Sequence, residues 1–279
     1  MKHKKINSLI KKALKEDIQE GDLTSQAIFN ASDYCTAQLI AKQDGRIAGL
    51  KVFKKTFKQV DKSCKVKLFF KDGQSCTNKQ VIAEISGSVL SVLAAERVAL
   101  NLLQRMSGIA TLTQQFVRLC EGRCTVLDTR KTVPNLRILD KMAVKLGGGS
   151  NHRIGLYDMA LIKENHIKAA GSISQAVKKV VAYDQHRHKI EVEVTNLTEL
   201  KEALLCDIDR IMLDNMDNAS LREAVKISAG KIELEASGNV DLTTISEISK
   251  TGVDCISIGA LTHSVKAMDF SLLISQTHR

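Results

Sequence analysis

The feature that most constrains this chain is the rhythm of its second half. Short apolar, β-branched runs occur at Cys124–Leu127, Met159–Ile162, Ile190–Val194, Arg210–Leu213, Ile232–Leu234 and Cys255–Ile258. Helical apolar spacing fills the gaps at Leu136–Leu146, Ile173–Ala182, Leu197–Leu205, Ala219–Ile227 and Leu242–Ile248. A strand followed by a helix every ~20 to 35 residues is the pattern of βα units on a parallel sheet. Six such units favour closure toward a barrel over an open sheet, and no short repeat that would mark a solenoid underlies them.

The first hundred residues read differently. Helical spacing at Ile6, Leu9, Ile10, Ala13 and Leu14 is broken by Gly21-Asp22. Strands are predicted at Cys35–Ala41, Val66–Phe70 and Val81–Ile85, with a helix over Leu50, Phe53, Phe57 and Val60. A long helix then carries Val92, Leu93, Val98, Leu102 and Leu103. Strands and helices mixed without strict alternation make an α+β region. The expected fold class is therefore α/β: an α+β domain over residues 1–108, then a barrel domain of about six parallel strands over 109–265.

Charge and cysteine content narrow the function. The 279 residues hold 41 Lys and Arg against 31 Asp and Glu, a net charge of +10. With ten aromatics and no Trp there is little to stack on bases, and the cations recur beside Gly, His and Asp rather than in one block. That distribution suits a pocket for a small polyanion, so no nucleic-acid partner is expected. No apolar run reaches membrane-spanning length, and the basic start Met1-Lys2-His3-Lys4-Lys5 is followed by an amphipathic stretch rather than a secretory apolar core. The expectation is a cytoplasmic protein with no membrane partner. Seven scattered Cys without a C-x-x-C pair read as reduced, mostly buried thiols.

In a β/α barrel the site is built from residues just after each strand. Here those residues are Asp128-Thr129-Arg130-Lys131, Lys163-Glu164-Asn165-His166, Glu193, Asp214-Asn215, Ser237-Gly238-Asn239 and Ser257-Ile258-Gly259-Ala260. Glu191 and Glu193, two apart on one strand, share a face opposite Val192 and Val194. Both acids would point into the barrel, where burial demands a cation or a metal. Glu191 suits an internal ion pair and Glu193 a site role. Gly147-Gly148-Gly149 exceeds the needs of a helix C-cap and suggests backbone that moves or approaches a ligand closely. The turn at Gly259-Ala260 could hold a phosphate. No G-x-S-x-G, P-loop or G-x-G-x-x-G is present, so serine hydrolases, P-loop NTPases and Rossmann dehydrogenases are unsupported.

Several segments carry a resemblance. Glu96-Arg97-Val98-Ala99-Leu100-Asn101 with Ser107-Gly108-Ile109-Ala110-Thr111, Asp128 to Pro134 and Gly147 to Arg153 resemble the quinolinate phosphoribosyltransferases. So do Leu161 to His166, Glu193, Leu213-Asp214-Asn215, Glu235-Ala236-Ser237-Gly238 and Ser257 to Ser264, all in the family's order. The resemblance implies an α+β sandwich, an incomplete α/β barrel, and a tail over about 266–279 that returns to the first domain. It also implies Mg²⁺-dependent reaction of quinolinate with phosphoribosyl pyrophosphate in NAD synthesis, giving nicotinate mononucleotide, pyrophosphate and CO₂ without an organic cofactor.

By motif position Arg97, Arg130, His152, Arg153 and Lys163 would hold quinolinate. Lys131, Glu193 and Asp214 would be catalytic and would bind the phosphoribosyl group. Ser237, Gly238, Asn239, Ile258, Gly259 and Ala260 would join them there, with Glu193 and Asp214 serving the metal directly or through water. Asn239 stands where many relatives have Gly. The family pattern further implies a homodimer whose sites are shared, with Arg97 reaching the partner's barrel, and leaves open assembly into hexamers. The alternative within the same fold is a paralogue acting on a different pyridine acid.

Overall fold

The computed structural model describes residues 2–278. Met1 and Arg279, at the outer ends of the two stretches assigned to the first domain, lie outside the described residues. Contacts group the chain into two compact units. The first takes in the residues up to Gln114, Val133–Gly148 and those from Val265 on; the second takes in Gln115–Thr132 and Gly149–Ser264.

The first unit opens with α1 (Lys2–Ile18), which buries Ile6, Ile10 and Leu14 at a spacing of four, and α2 (Leu23–Ile28), whose first turn is capped by Asp22. There follow β1 (Tyr34–Ala41), β2 (Gly45–Arg46), α3 (Leu50–Val60), β3 (Lys65–Leu68), β4 (Ser75–Cys76) and β5 (Val81–Ser88). β1 alternates buried and accessible residues, the period-2 signature of a sheet with one face on a core. α3 covers that face with Phe53 and Phe57, their rings 4.9 Å apart and tilted by 58°. The long helix α4 (Val89–Cys120) runs past residue 108, where the predicted domain boundary falls.

The second unit is built on β6 (Thr125–Leu127). α5 (Arg137–Leu146) follows in the chain and belongs to the first unit. Then come β7 (Ala160–Ile162), α6 (Glu164–Ala170), α7 (Ile173–Asp184), β8 (Ile190–Val194), α8 (Leu197–Ala203) and β9 (Arg210–Asp214). The series closes with α9 (Asn218–Ser228), β10 (Glu233–Ser237), α10 (Ile245–Ser249), β11 (Cys255–Ser257) and α11 (Ala260–His263). The six described strands form one parallel sheet in the order β6-β11-β10-β9-β8-β7, the incomplete barrel expected. Ser150 adds a parallel bridge to Leu127 on the outer side of β6.

The final strand, β12 (Phe270–His278), leaves this sheet and pairs antiparallel with β1, completing the order β12-β1-β5-β3 in the first unit. The returning tail is thus a strand.

Two local expectations fail. The sequence ends a strand at Leu234, whereas β10 continues to Ser237. Its inward residues are Glu233 and Glu235, so an apolar run is the wrong marker for it. Gly147 serves helix packing: a Cβ there would lie 2.6 Å from the Ala110 carbonyl oxygen and from Thr113 Cβ, both on α4. Only Gly lets the end of α5 approach α4 so closely.

Candidate active site

The strand ends of the second unit surround a cavity of about 960 Å³. Lys131, Arg130, Arg153, Lys163, His152, Glu193, Asp214, Ser237, Gly238, Asn239, Ile258, Gly259 and Ala260 all line it. Every predicted site residue is therefore brought together except Arg97. Arg97 is exposed on α4 in the first unit and is not among the lining residues. Gly147, Gly148 and Gly149 are not among them either.

Parallel strands place these groups because residue pairs in register project from the same edge: Ser237 pairs with Asp214 and Glu193 with Met212. The cationic side is held by backbone devices. Thr262 donates its hydroxyl to the Lys131 carbonyl at 2.8 Å, and the Lys131 chain passes so near Gly259 that a Cβ there would meet its Cδ at 2.9 Å. Arg153 donates to the Met159 carbonyl at 3.2 Å. Burial, and then the charge of Arg130, both depress the pKa of Arg153. Two guanidinium groups this close favour an anion between them.

The same cavity holds two carboxylates, Glu193 and Asp214. Glu193 forms an ion pair with Lys163. Burial and then the Glu193 charge push the Asp214 carboxyl above its usual range, while hydrogen bonds from Asn215 and Ser237 and the charge of Lys163 oppose this. Two neighbouring carboxylates facing open space are hard oxygen donors of the kind Mg²⁺ takes.

Deeper in the barrel lies a second acidic group that the sequence reading only partly saw. His152, Glu191 and Glu235 are buried and bring one ligand-type atom each within 4.8 Å of one another. His152 Nε2 lies 3.0 Å from Glu191 Oε2 and 3.3 Å from Glu235 Oε2, and Arg210 reaches Glu235 at 3.2 Å. The Arg153 backbone N–H donates to His152 Nδ1 at 2.8 Å, so the ring's remaining hydrogen is on Nε2, facing the acids. With its hydrogen on Nε2, His152 meets the two acids as a buried ion-pair group, while Glu193 and Asp214 at the cavity could offer carboxylate oxygens to a metal. Burial lowers the pKa of His152, but the two glutamates outweigh it and raise it to about 9. The Arg153 N–H, which needs the Nδ1 lone pair, works the other way.

Comparison with known proteins decides the family. Residues 22–107 match the N-terminal domain pattern of quinolinate phosphoribosyl transferase, and residues 109–273 match its C-terminal domain pattern. The chain belongs to the quinolinate phosphoribosyltransferase family. It is 44% identical over 273 residues to the probable nicotinate-nucleotide pyrophosphorylase [carboxylating] of Bacillus subtilis, covering 98% of this chain and 94% of that one. It also superposes on NadC of Streptococcus pyogenes with a TM-score of 0.94 at 42% identity, covering 98% and 96% of the two chains. The nicotinate-nucleotide pyrophosphorylase of Francisella tularensis gives 0.93 at 42% identity, covering 98% and 96%.

Within this family frame, the cavity has polar lining residues outside the assigned site set. Thr129, Asn215, Asp241 and His263 line it alongside the expected set. Thr129 and Asn215 stand within the strand-end segments Asp128–Lys131 and Asp214-Asn215, though the family pattern assigned them no part in binding. Glu235 carried its own signal, since Glu233 and Glu235 repeat the period-2 spacing of Glu191 and Glu193.

Proposed function

We propose that this chain transfers a phosphoribosyl group from phosphoribosyl pyrophosphate to the ring nitrogen of quinolinate, with release of pyrophosphate and CO₂ and formation of nicotinate mononucleotide. The observation that carries the reading is one cavity lined by four cations, Arg130, Lys131, Arg153 and Lys163, together with two carboxylates, Glu193 and Asp214. Quinolinate is a planar dicarboxylate, and guanidinium forks pair bidentately with such groups. Each charge-assisted bond contributes ~1.5 to 3 kcal/mol.

As the glycosidic bond to pyrophosphate breaks, positive charge develops on the ribose carbon. Glu193 and Asp214 stabilise that charge and orient the ribose hydroxyls, while Lys131 neutralises the departing pyrophosphate. The turns Ser237-Gly238-Asn239 and Ile258-Gly259-Ala260 present backbone N–H groups to phosphate oxygens. Mg²⁺ held by Glu193 and Asp214, directly or through water, would supply further charge neutralisation at the pyrophosphate. Loss of the carboxylate next to the ring nitrogen leaves an electron pair on that ring carbon, which the adjacent cationic nitrogen stabilises until a proton from water completes the C–H bond, so no organic cofactor is needed.

Arg97, remote in sequence from the strand ends, completes quinolinate binding in a partner's barrel within a two-fold homodimer. Seven free thiols suit a reducing compartment, which supports a cytoplasmic address. Among the described residues no helix is long and apolar enough to cross a membrane.

The deciding experiment supplies quinolinate, phosphoribosyl pyrophosphate and Mg²⁺ and measures CO₂ and pyrophosphate, expected in equal amounts. Nicotinate should be used at least about a hundredfold less well, because the missing carboxylate leaves cations unmatched in a desolvated site. Comparable kcat/KM for the two acids would end the quinolinate assignment. For the shared site, inactive Arg97→Ala and Lys131→Ala chains refolded together in equal amounts should regain roughly a quarter of wild-type sites. Mixed dimers without recovered activity would place Arg97 in its own chain's site.

A further inference from the structure

The turns after β9 and β10 are joined by one side chain to which the mechanism above gives no task. Asn215 follows Asp214 with φ at +54°, Asn239 has φ at +49°, and Gly238 has φ at +97°. Left-handed backbone is costly for residues with a side chain, least so for Asn. That explains how Asn239 can hold this turn while carrying a side chain.

Asn215 uses its backbone and both ends of its amide. Its N–H donates to the Ser237 carbonyl at 2.8 Å, carrying the β9–β10 ladder one residue beyond the Ser237–Asp214 pair. Nδ2 donates to Asp214 Oδ2 at 2.9 Å, and Oδ1 accepts from Asn239 Nδ2 at 3.2 Å. Gly238 makes the room, since a Cβ there would lie 2.1 Å from Asn215 Oδ1 and 3.0 Å from its backbone nitrogen.

We propose that Asn215 is a positioning residue for the phosphoribosyl half of the reaction, tying the Asp214 carboxylate to the Ser237-Gly238-Asn239 turn at a fixed separation. A residue needed only for the turn would use its tolerance of positive φ, and Gly would serve as well. The two side-chain bonds of Asn215 instead run to a carboxylate on one strand end and to the turn on the next. Ribose hydroxyls and phosphates of one substrate must meet both groups at once, so their relative placement sets how much binding is realised in the transition state. Quinolinate is held by other residues, Arg130, Arg153 and Lys163, that make none of these contacts.

The test uses variants that keep the left-handed backbone. In Asn215→Gly the turn is relaxed and only the two side-chain bonds are lost. We expect KM for phosphoribosyl pyrophosphate to rise and kcat to fall, together on the order of ten- to a hundredfold in kcat/KM. KM for quinolinate should stay within about twofold and the melting temperature should not fall. Asn215→Asp keeps the acceptor for Asn239 but cannot donate to Asp214, and should lose at least as much. Asn239→Gly cuts only the tie to the turn and should show a smaller loss in the same direction.

Wild-type constants for phosphoribosyl pyrophosphate in Asn215→Gly, or an equal loss for both substrates, would overturn the proposal. The inference rests on the phosphoribosyl-transfer reading. A wild-type protein releasing neither CO₂ nor pyrophosphate would end both, whereas an active wild type with a silent Asn215→Gly would end this one alone.

Discussion

The interiors of the two units are made of opposite materials. Under the first unit's sheet lie Leu39, Phe53, Phe57, Ile82 and Ile85, all buried and all apolar. Inside the parallel sheet of the second lie Glu191 and Glu235, fully buried, with His152 and Arg210 against them. Apolar area removed from water stabilises at ~25 cal/mol per Å² and asks little of geometry. Buried charges cost several kcal/mol each unless every partner is in place. The first interior therefore supplies stability, and the second holds side chains at fixed positions under the cavity.

The largest expected effect tests the apolar side. Phe53→Ala should cost ~3 to 5 kcal/mol of unfolding free energy in urea titrations while leaving kcat/KM of the folded fraction unchanged. A large kinetic change would show that the first unit's core also governs the cavity. Next, Glu235→Ala removes one of two acidic partners from both Arg210 and His152, which keep Glu233 and Glu191, and should cost on the order of 1 to 3 kcal/mol. Unlike Phe53→Ala it should also weaken quinolinate binding, because His152 is bonded to the backbone of Arg153. Stability loss with an unchanged quinolinate KM would make the buried charges structural only.

At the cavity itself the pattern should invert. Glu193→Gln should lower kcat about a hundredfold with less than about 1 kcal/mol of stability lost, since its pair with Lys163 is partly exposed. Unfolding of the variant at room temperature would return Glu193 to a structural ion pair.

The smallest effect is a pH dependence. The pKa of His152 is raised from 6.5 to about 9 in the folded state. Its stabilisation is therefore complete below the unfolded value and lost as pH rises through about 9. Net of the opposing Arg153 N–H, the effect should be on the order of 1 kcal/mol. The urea midpoint of the wild type should fall between pH 6.5 and 9.5 by more than that of His152→Gln; equal slopes would remove the histidine from the account.

What the sequence made legible follows the same division. Strands with apolar inward faces, such as Tyr34–Ala41, were found within a residue because alternation is their marker. β10 was cut short at Leu234 because its inward residues are glutamates, so the charged interior that defines the unit hid the strand that builds it. α6 begins at Glu164, inside a stretch read as a polar strand end. Its start rests on a local bond from the Lys163 N–H to His166 Nδ1, not on an apolar stripe. The cavity residues were legible from their places after strands. The role of Asn215 was not, because positive φ and a bond to Asn239, 24 residues away, leave no mark in spacing.

The pairing of β12 with β1 sets an order of events during synthesis. β1 can zip to β5 soon after residue 88 leaves the ribosome, but its other edge finds its partner only when residues 270–278 emerge. For nearly two hundred residues of translation that edge is an open template for other strands, so the nascent chain is most exposed to mispairing at its oldest sheet. Anything that delays or removes the last strand prolongs this interval. The integrity of this sheet is thus decided by a segment made nearly two hundred residues after the strands it completes.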